Sequence, residues 1–451
     1  MHSHPWRRAA LATLIATTVL GCAGAQAAGG PALPVTGAVV AATMTCKVTA
    51  YGADATGVKD STIAIRNAIT ACAAGAGPNT VYFPAGTYAL KDTGIANPTL
   101  KLAGPNPVIL QGAGRDSTKL VEYAGVANTT TCPGGGTTPG PACPVRSLLG
   151  VAVDGSTVED MTLDTATYNA GTALGTVANN GTYLRLRVTH GSLAGGFFSV
   201  YFAGPAGATR TTPTFNTGNT IDDLILTDSI CDDSLSYSFQ AAGSISNVQH
   251  TGSRLALYFV HDVTVTNYRY TPGPQGCGAK KQGFYITSPS SNVTINGFTS
   301  SGAGGVIGQS TPPSANIVLN DYRLTGSGGT LEVGDVVGLT IQQQSGTCDM
   351  GDNVLRINPS APGTLVAVRN CSLAMVHLAS TANALLAGLS FAGDTFTVPN
   401  PRAVTFSDVK NVPVAVVFAG GTYLNCPSKA WFSNSTAPVF AGANTMTGYP
   451  C

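Results

Sequence analysis

The chain has 451 residues, 55 of them Gly and 27 Pro, with only 10% charged residues and a formal net charge of +1. Three Glu in the whole sequence (Glu122, Glu159 and Glu332) exclude a coiled coil or helical solenoid, whose exposed faces need many Glu, Lys and Arg. A hydrophobic share of 43% excludes a disordered chain, and the balanced charge leaves no basic patch for nucleic acid or an anionic membrane.

The N-terminus carries Arg7-Arg8, then a weakly apolar run from Ala9 to Leu20, then Ala25-Gln26-Ala27. This order predicts an export signal over residues 1–27, cleaved after Ala27. Leu20-Gly21-Cys22 supplies the alternative, a lipid anchor on Cys22. No segment is long and apolar enough to span a bilayer. The expected location is therefore secreted or periplasmic, by a bacterial export route. Eleven Cys less Cys22 leaves ten, an even number suited to an oxidising compartment. Their order suggests pairs Cys46–Cys72, Cys132–Cys143, Cys231–Cys277, Cys348–Cys371 and Cys426–Cys451. Their spacings match no zinc site.

Residues 28–45 read as a linker, 46–430 as one domain and 431–451 as a C-terminal cap or tail. Asp60-Ser61-Thr62 offers helix-capping chemistry; Ile65, Ile69 and Cys72 follow at helical spacing, and Gly75 ends the helix. Thr80–Phe83 and Val108–Leu110 read as strands. A strand with alternating apolar residues then recurs: Ser156–Asp164, Thr182–Val188, Asp223–Asp228, Val263–Tyr268, Asn292–Phe298, Ile317–Asn320, Gly338–Ile341, Leu365–Arg369 and Val414–Phe418. Short strands about every 20 to 30 residues, without helices between them, predict a coil of parallel strands. A barrel or sandwich is the alternative, but the Asn-Gly and Asp-Gly hairpins it needs are nearly missing. The expected fold is thus all-β, a single-stranded right-handed parallel β-helix with a short N-terminal capping helix over its first edge. Cys348 and Cys371 lie 23 residues apart, about one turn of such a coil.

Val48 to Ile65, with Tyr51-Gly52-Ala53-Asp54 and Asp60-Ser61-Thr62, resembles the opening motif of the pectate-lyase-like β-helix superfamily. Thr80 to Tyr88 and Leu110-Gln111-Gly112-Ala113-Gly114-Arg115 continue the resemblance, which covers about residues 46–120. It implies a carbohydrate partner and leaves open whether the chemistry is hydrolysis, elimination or epimerisation.

Stacked coils bring equivalent strand ends together. Asp164, His190, Asp228 and His250 each close an alternating strand and align into one column, with Asp232, Asp233 and Arg254 just beyond it. Glycoside hydrolysis needs two carboxylates about 5 to 9.5 Å apart, and one or two coils, at about 4.8 Å each, span that range. Cys231-Asp232-Asp233-Ser234 followed by His250-Thr251-Gly252 resembles part of the polygalacturonase-type hydrolase signature. The preceding Leu226-Thr227-Asp228 lies closer than in that signature, and Lys280-Lys281 is a loose substitute for its basic motif. The catalytic candidates are Asp228, Asp232, Asp233 and His250; the substrate-binding candidates are Asp164, His190, Arg254, Lys280 and Lys281. Tyr82, Tyr88, Tyr258 and Tyr268 are either core residues or sugar-stacking platforms. The bland reading of an Asp or Ser at a coil corner is backbone hydrogen bonding.

The leading expectation is an exported glycoside hydrolase acting on a polysaccharide along the coil, with no cofactor and no metal. Alternatives are a polysaccharide lyase, which could use a calcium ion, or an epimerase, acting on a uronate polymer, and a non-catalytic surface adhesin or glycan-binding β-helix. The sequence does not name the polysaccharide or the oligomeric state.

Overall fold

The structure is a computed structural model that describes residues 43–91, 98–122, 147–165, 172–190, 198–228, 233–273, 282–287, 289–309, 311–378 and 386–396, with shorter stretches up to 446. The export signal, Cys22, Asp232, Lys280 and Lys281 lie outside the described residues, as does at least one Cys of the pairs 132–143, 231–277 and 426–451.

The strands pair in parallel throughout, which rules out the barrel and the sandwich. They form a sheet of 22 strands and a sheet of 12, with two smaller sheets near the C-terminus. The chain is a right-handed parallel β-helix. One coil shows the plan. Thr220–Asp228 lies in the long sheet, Asp233–Ser238 in the short sheet, and Gln240–Ala241 leads back to Ser244–Gly252, which pairs with Thr220–Asp228 one coil on. Ile221, Leu224 and Leu226 of the first strand and Leu235 and Tyr237 of the second are buried in one core that runs from Cys46 to Phe396. A single coil could not enclose these side chains, so burial depends on stacking.

Each long strand bends around a corner at one residue with positive φ. Asp160, Arg185, Asp223, Asn247 and Asn267 stack there in register, with φ between 49° and 59°. Asp and Asn tolerate this left-handed conformation better than other side chains. Asn267 donates to Asn247 Oδ1 at 2.8 Å, and Asn247 to Asp222 Oδ1 at 2.7 Å, so the corner is also a hydrogen-bond ladder. Arg185 is the costly member. Its guanidinium bonds Asp160 Oδ1 at 2.6 Å and Glu159 Oε2 at 2.8 Å, contacts that hold it there.

The helix spans Thr62–Ala74, with Gly75 at its C-cap. Asp60, rather than Ser61, supplies the cap: its Oδ1 accepts the Thr62 N–H at 2.9 Å. The Cys46–Cys72 disulfide ties this helix to the first strand, and Cys348–Cys371 joins adjacent coils.

Candidate functional site

Asp228 closes its long strand and Asp233 opens the next short one, so both stand at the corner between the two sheets. The pairing of Asp233–Ser238 with Arg254–Tyr258 slips here: Asp233 faces Arg254 and Leu235 faces Leu255, leaving Ser234 as an extra residue. Such a bulge re-aims the side chains around it. It divides the corner into an inner and an outer group joined at Ser234.

Asp228 belongs to the inner group. Ser199 Oγ donates to its Oδ2 at 2.8 Å and Ser234 Oγ to its Oδ1 at 2.9 Å. The Ser253 N–H bonds Ser234 Oγ at 2.9 Å. Gly252 lies against the carboxylate: a Cβ there would sit 2.3 Å from Asp228 Oδ1. Burial first, then neighbouring charge that includes Asp228, pushes the Tyr268 and Tyr270 hydroxyls up.

Asp233 belongs to the outer group. Its Oδ1 accepts Arg254 Nε at 2.5 Å and its Oδ2 accepts the Tyr258 hydroxyl at 2.7 Å. Arg254 also donates to Gln282 Oε1 at 2.7 Å, and its guanidinium lies 4.3 Å from the centre of the Tyr285 ring. Leu255 and Leu257 point into the core, so alternation turns Arg254, Ala256 and Tyr258 outward. Burial, then the Asp233 charge, raises the Tyr258 hydroxyl well above its ordinary range. Asp228, Asp233 and Arg254 are all nearly closed to solvent, at 3%, 3% and 7% exposure.

Beyond Asp233 the outer face of the short sheet carries a row in register: Tyr201, Ser236, Ala256, Tyr285 and Val306. Two small side chains therefore lie between two tyrosines, next to the outer acid.

The predicted column holds only in part. His190 stands opposite Asp228, as expected. Asp164 stands opposite Thr189, one position off the column, and forms an ion pair with Lys119. His250 stands opposite Leu226, not Asp228, and so occupies an inward position between Leu226 and Tyr270. Its Nδ1 meets the Tyr268 hydroxyl at 2.6 Å, its Nε2 is enclosed without a partner, and burial holds the ring down at about 3. Leu226 lies two positions before Asp228, so His250 keeps the inward face of Asp228 and is displaced along the strand, which corrects its aligned placement. Tyr88 and Tyr268 are core residues, whereas Tyr258 faces the outer acid. Ser199, Ser234, Gln282 and Tyr285 escape sequence reasoning. The one available cue is the four-residue spacing of Arg254 and Tyr258, which puts both on one face of a strand.

Among the described residues, no group of three or more His, Cys, Asp or Glu could hold a metal ion. No helix of the described residues is long and apolar enough to cross a membrane.

Residues 45–143 match the family profile "Rhamnogalacturonase A/epimerase, pectate lyase-like". A search of curated proteins returned no match. Among solved structures, the A-module of a mannuronan C-5 epimerase from Azotobacter vinelandii is 16% identical, over 90% of this chain and 99% of that one, with a TM-score of 0.42. The N-terminal fragment of gene product 12 of bacteriophage Phi29 is 15% identical over 90% and 71%, with a TM-score of 0.49. The catalytic unit of a GH87 α-1,3-glucanase from Streptomyces thermodiastaticus is 16% identical over 91% and 70%, with a TM-score of 0.37. These likenesses concern the coil and not a reaction. The profile match covers an N-terminal segment of the chain, and its described residues lie in the parallel coil.

Proposed function

We propose that the chain is an exported carbohydrate-active enzyme, a glycoside hydrolase whose polysaccharide lies along the outer face of the short sheet. One observation carries this reading: the bulge at Ser234 sets Asp233 and Arg254 side by side on that face, at the head of the row Ser236–Ala256. Asp233 accepts from Arg254 and Tyr258 and so is held as an acceptor, the state a base needs to activate water. Asp228, on the other side of the corner, or Asp232, adjacent to Asp233 in sequence, supplies the second carboxylate that hydrolysis requires. Tyr285 flanks the small side chains as a platform for a sugar ring, whereas Tyr201 is buried against Phe198. His250 supports the core beneath the corner and takes no part in the chemistry. Two disulfides, Cys46–Cys72 and Cys348–Cys371, support export, since such bonds persist in oxidising compartments.

A panel of plant and microbial polysaccharides with product analysis tests this. Soluble products from the wild type, lost in Asp233→Asn at unchanged circular dichroism, are the expected result. Full activity in Asp233→Asn would reject the assignment. Products absorbing at the unsaturated-uronate band would replace hydrolysis by elimination.

The enclosure of Asp228, Asp233 and Arg254 favours a second reading, a non-catalytic glycan-binding coil in which the Asp233–Arg254 pair pins two turns together. Binding to a glycan array without turnover of any hit would select it.

A further inference from the structure

The outer row of the short sheet does not stop at Val306. It continues in register through Glu332, Arg356 and His377 on three successive strands. Their neighbours Leu331, Val333, Leu355, Ile357, Val376 and Leu378 are all buried in the core, so alternation turns Glu332, Arg356 and His377 outward. All three are half-buried. Thr330, Val354 and Met375 form a second half-buried row in register beside them.

Two features separate this patch from the charged outer face of the long sheet. There, Arg185 closes onto Asp160 one coil away, and Arg187 onto Asp116. Glu332 and Arg356 are likewise opposite in charge and in register, yet among the described residues they do not close into an ion pair. Arg356 Nε is instead enclosed with no acceptor. Enclosure puts Nε itself out of a ligand's reach, whereas the two terminal guanidinium nitrogens are not among the enclosed, unpartnered atoms and are the donors the patch presents. The patch therefore presents a donor fork, a carboxylate acceptor one coil away, and an apolar strip alongside. A neutral sugar offers the complement: a hydroxyl pair that both donates and accepts, and a ring face of C–H groups.

We propose that Glu332 and Arg356, flanked by Val354 and Met375, form a distal subsite that binds the hydroxyl edge of a neutral sugar in a chain running along the short sheet. This rests on the reading above only in placing the polymer on that face. The formal positive charge of Arg356 and the negative charge of Glu332 balance, so the pair has no preference for an acidic polymer.

Affinity gel electrophoresis tests it, with dextran, pullulan, galactomannan or xyloglucan in the neutral gels and alginate or polygalacturonate in the acidic ones. The wild type is expected to be retarded in at least one neutral gel. Arg356→Gln and Glu332→Gln are each expected to weaken that retardation about ten-fold, as for loss of one hydrogen bond to a charged group. Arg356→Lys, which keeps the charge and loses the fork, is expected to do the same and serves if Arg356→Gln melts early. Unchanged retardation in the variants, retardation in the acidic gels alone, or none in any gel would overturn the subsite. Turnover of the same polymers by Asp233→Asn separates the two ideas. Turnover lost there with binding intact in Arg356→Gln removes the subsite and keeps the enzyme. Binding lost in Arg356→Gln, with no turnover by the wild type, keeps the subsite and removes the enzyme.

Discussion

The two sheets of this coil use polar residues in opposite ways. On the long sheet, charges sit on the exposed face and pair across coils: Arg187 with Asp116, Arg185 with Asp160 and Glu159. On the short sheet and its corner, the polar groups are enclosed: Asp233 with Arg254, and Asp228 with Ser199 and Ser234. A solvated ion pair is worth little because water competes for both partners. An enclosed one is costly to break, because removing one partner strands the other away from water. The short sheet is therefore where a change of one side chain should be felt most.

The sharpest test of that difference is activity. Asp233→Asn is expected to lower kcat about 100-fold or more on whichever polysaccharide is turned over, the size of a lost general acid or base. Asp116→Asn, on the long-sheet face, is expected to leave kcat unchanged; equal losses in both would erase the distinction between the sheets.

Stability should follow the same order. Arg254→Met strands the Asp233 carboxylate and is expected to cost about 3 to 5 kcal/mol in urea denaturation. Arg187→Met, removing a pair whose Asp116 partner is 76% exposed, is expected to cost less than about 1 kcal/mol. An effect between these two is expected from Gly252→Ala, whose added Cβ would meet Asp228 Oδ1. Overpacking of that kind costs about 1 to 3 kcal/mol. A calorimetric melting temperature equal to the wild type would mean that the inner corner yields to the methyl group.

The effects of pH run in opposite senses at two buried groups. The His250 ring, held down to about 3 by burial, stays neutral in the folded protein, while the unfolded ring takes a proton below about 6.5. The unfolded state then binds more protons, so stability falls as pH drops from about 6.5 toward 3. Burial raises the Asp394 carboxyl to about 7, so there the folded state holds the extra proton. Its contribution falls as pH rises from about 3.8 to about 7. Between about pH 3.8 and 6.5 the two slopes oppose each other, so His250→Phe is expected to tilt a melting-temperature profile downward with rising pH and Asp394→Asn to tilt it upward. A variant profile parallel to the wild type would show that the group does not titrate as its surroundings imply.

The sequence by itself determined the coil. Its strand period, the helix over residues 62–74 and the 23-residue spacing of Cys348 and Cys371 are repeats of local chemistry, and all appear in the structure. From Val108 onward, the recurring strands legible in advance belong to the long sheet or its continuation. There, apolar residues alternate with Thr, Arg and Asp. The short sheet was hidden: Asp233–Ser238 carries serines and Gly304–Ile307 carries glycines, patterns that read as loop. Asp233 and Arg254 were nameable because acids are scarce, but their pairing was not.

Only the tertiary structure decided which face each site residue takes. Asp228 and His250 both turn inward, two register positions apart, and Asp233 turns outward. The physical reason is that strand side chains alternate with a period of two. The phase of that alternation is set across coils, by the extra residue at Ser234 and the corner at Asp223 and Asn247. A chain read in one dimension carries the period but not the phase.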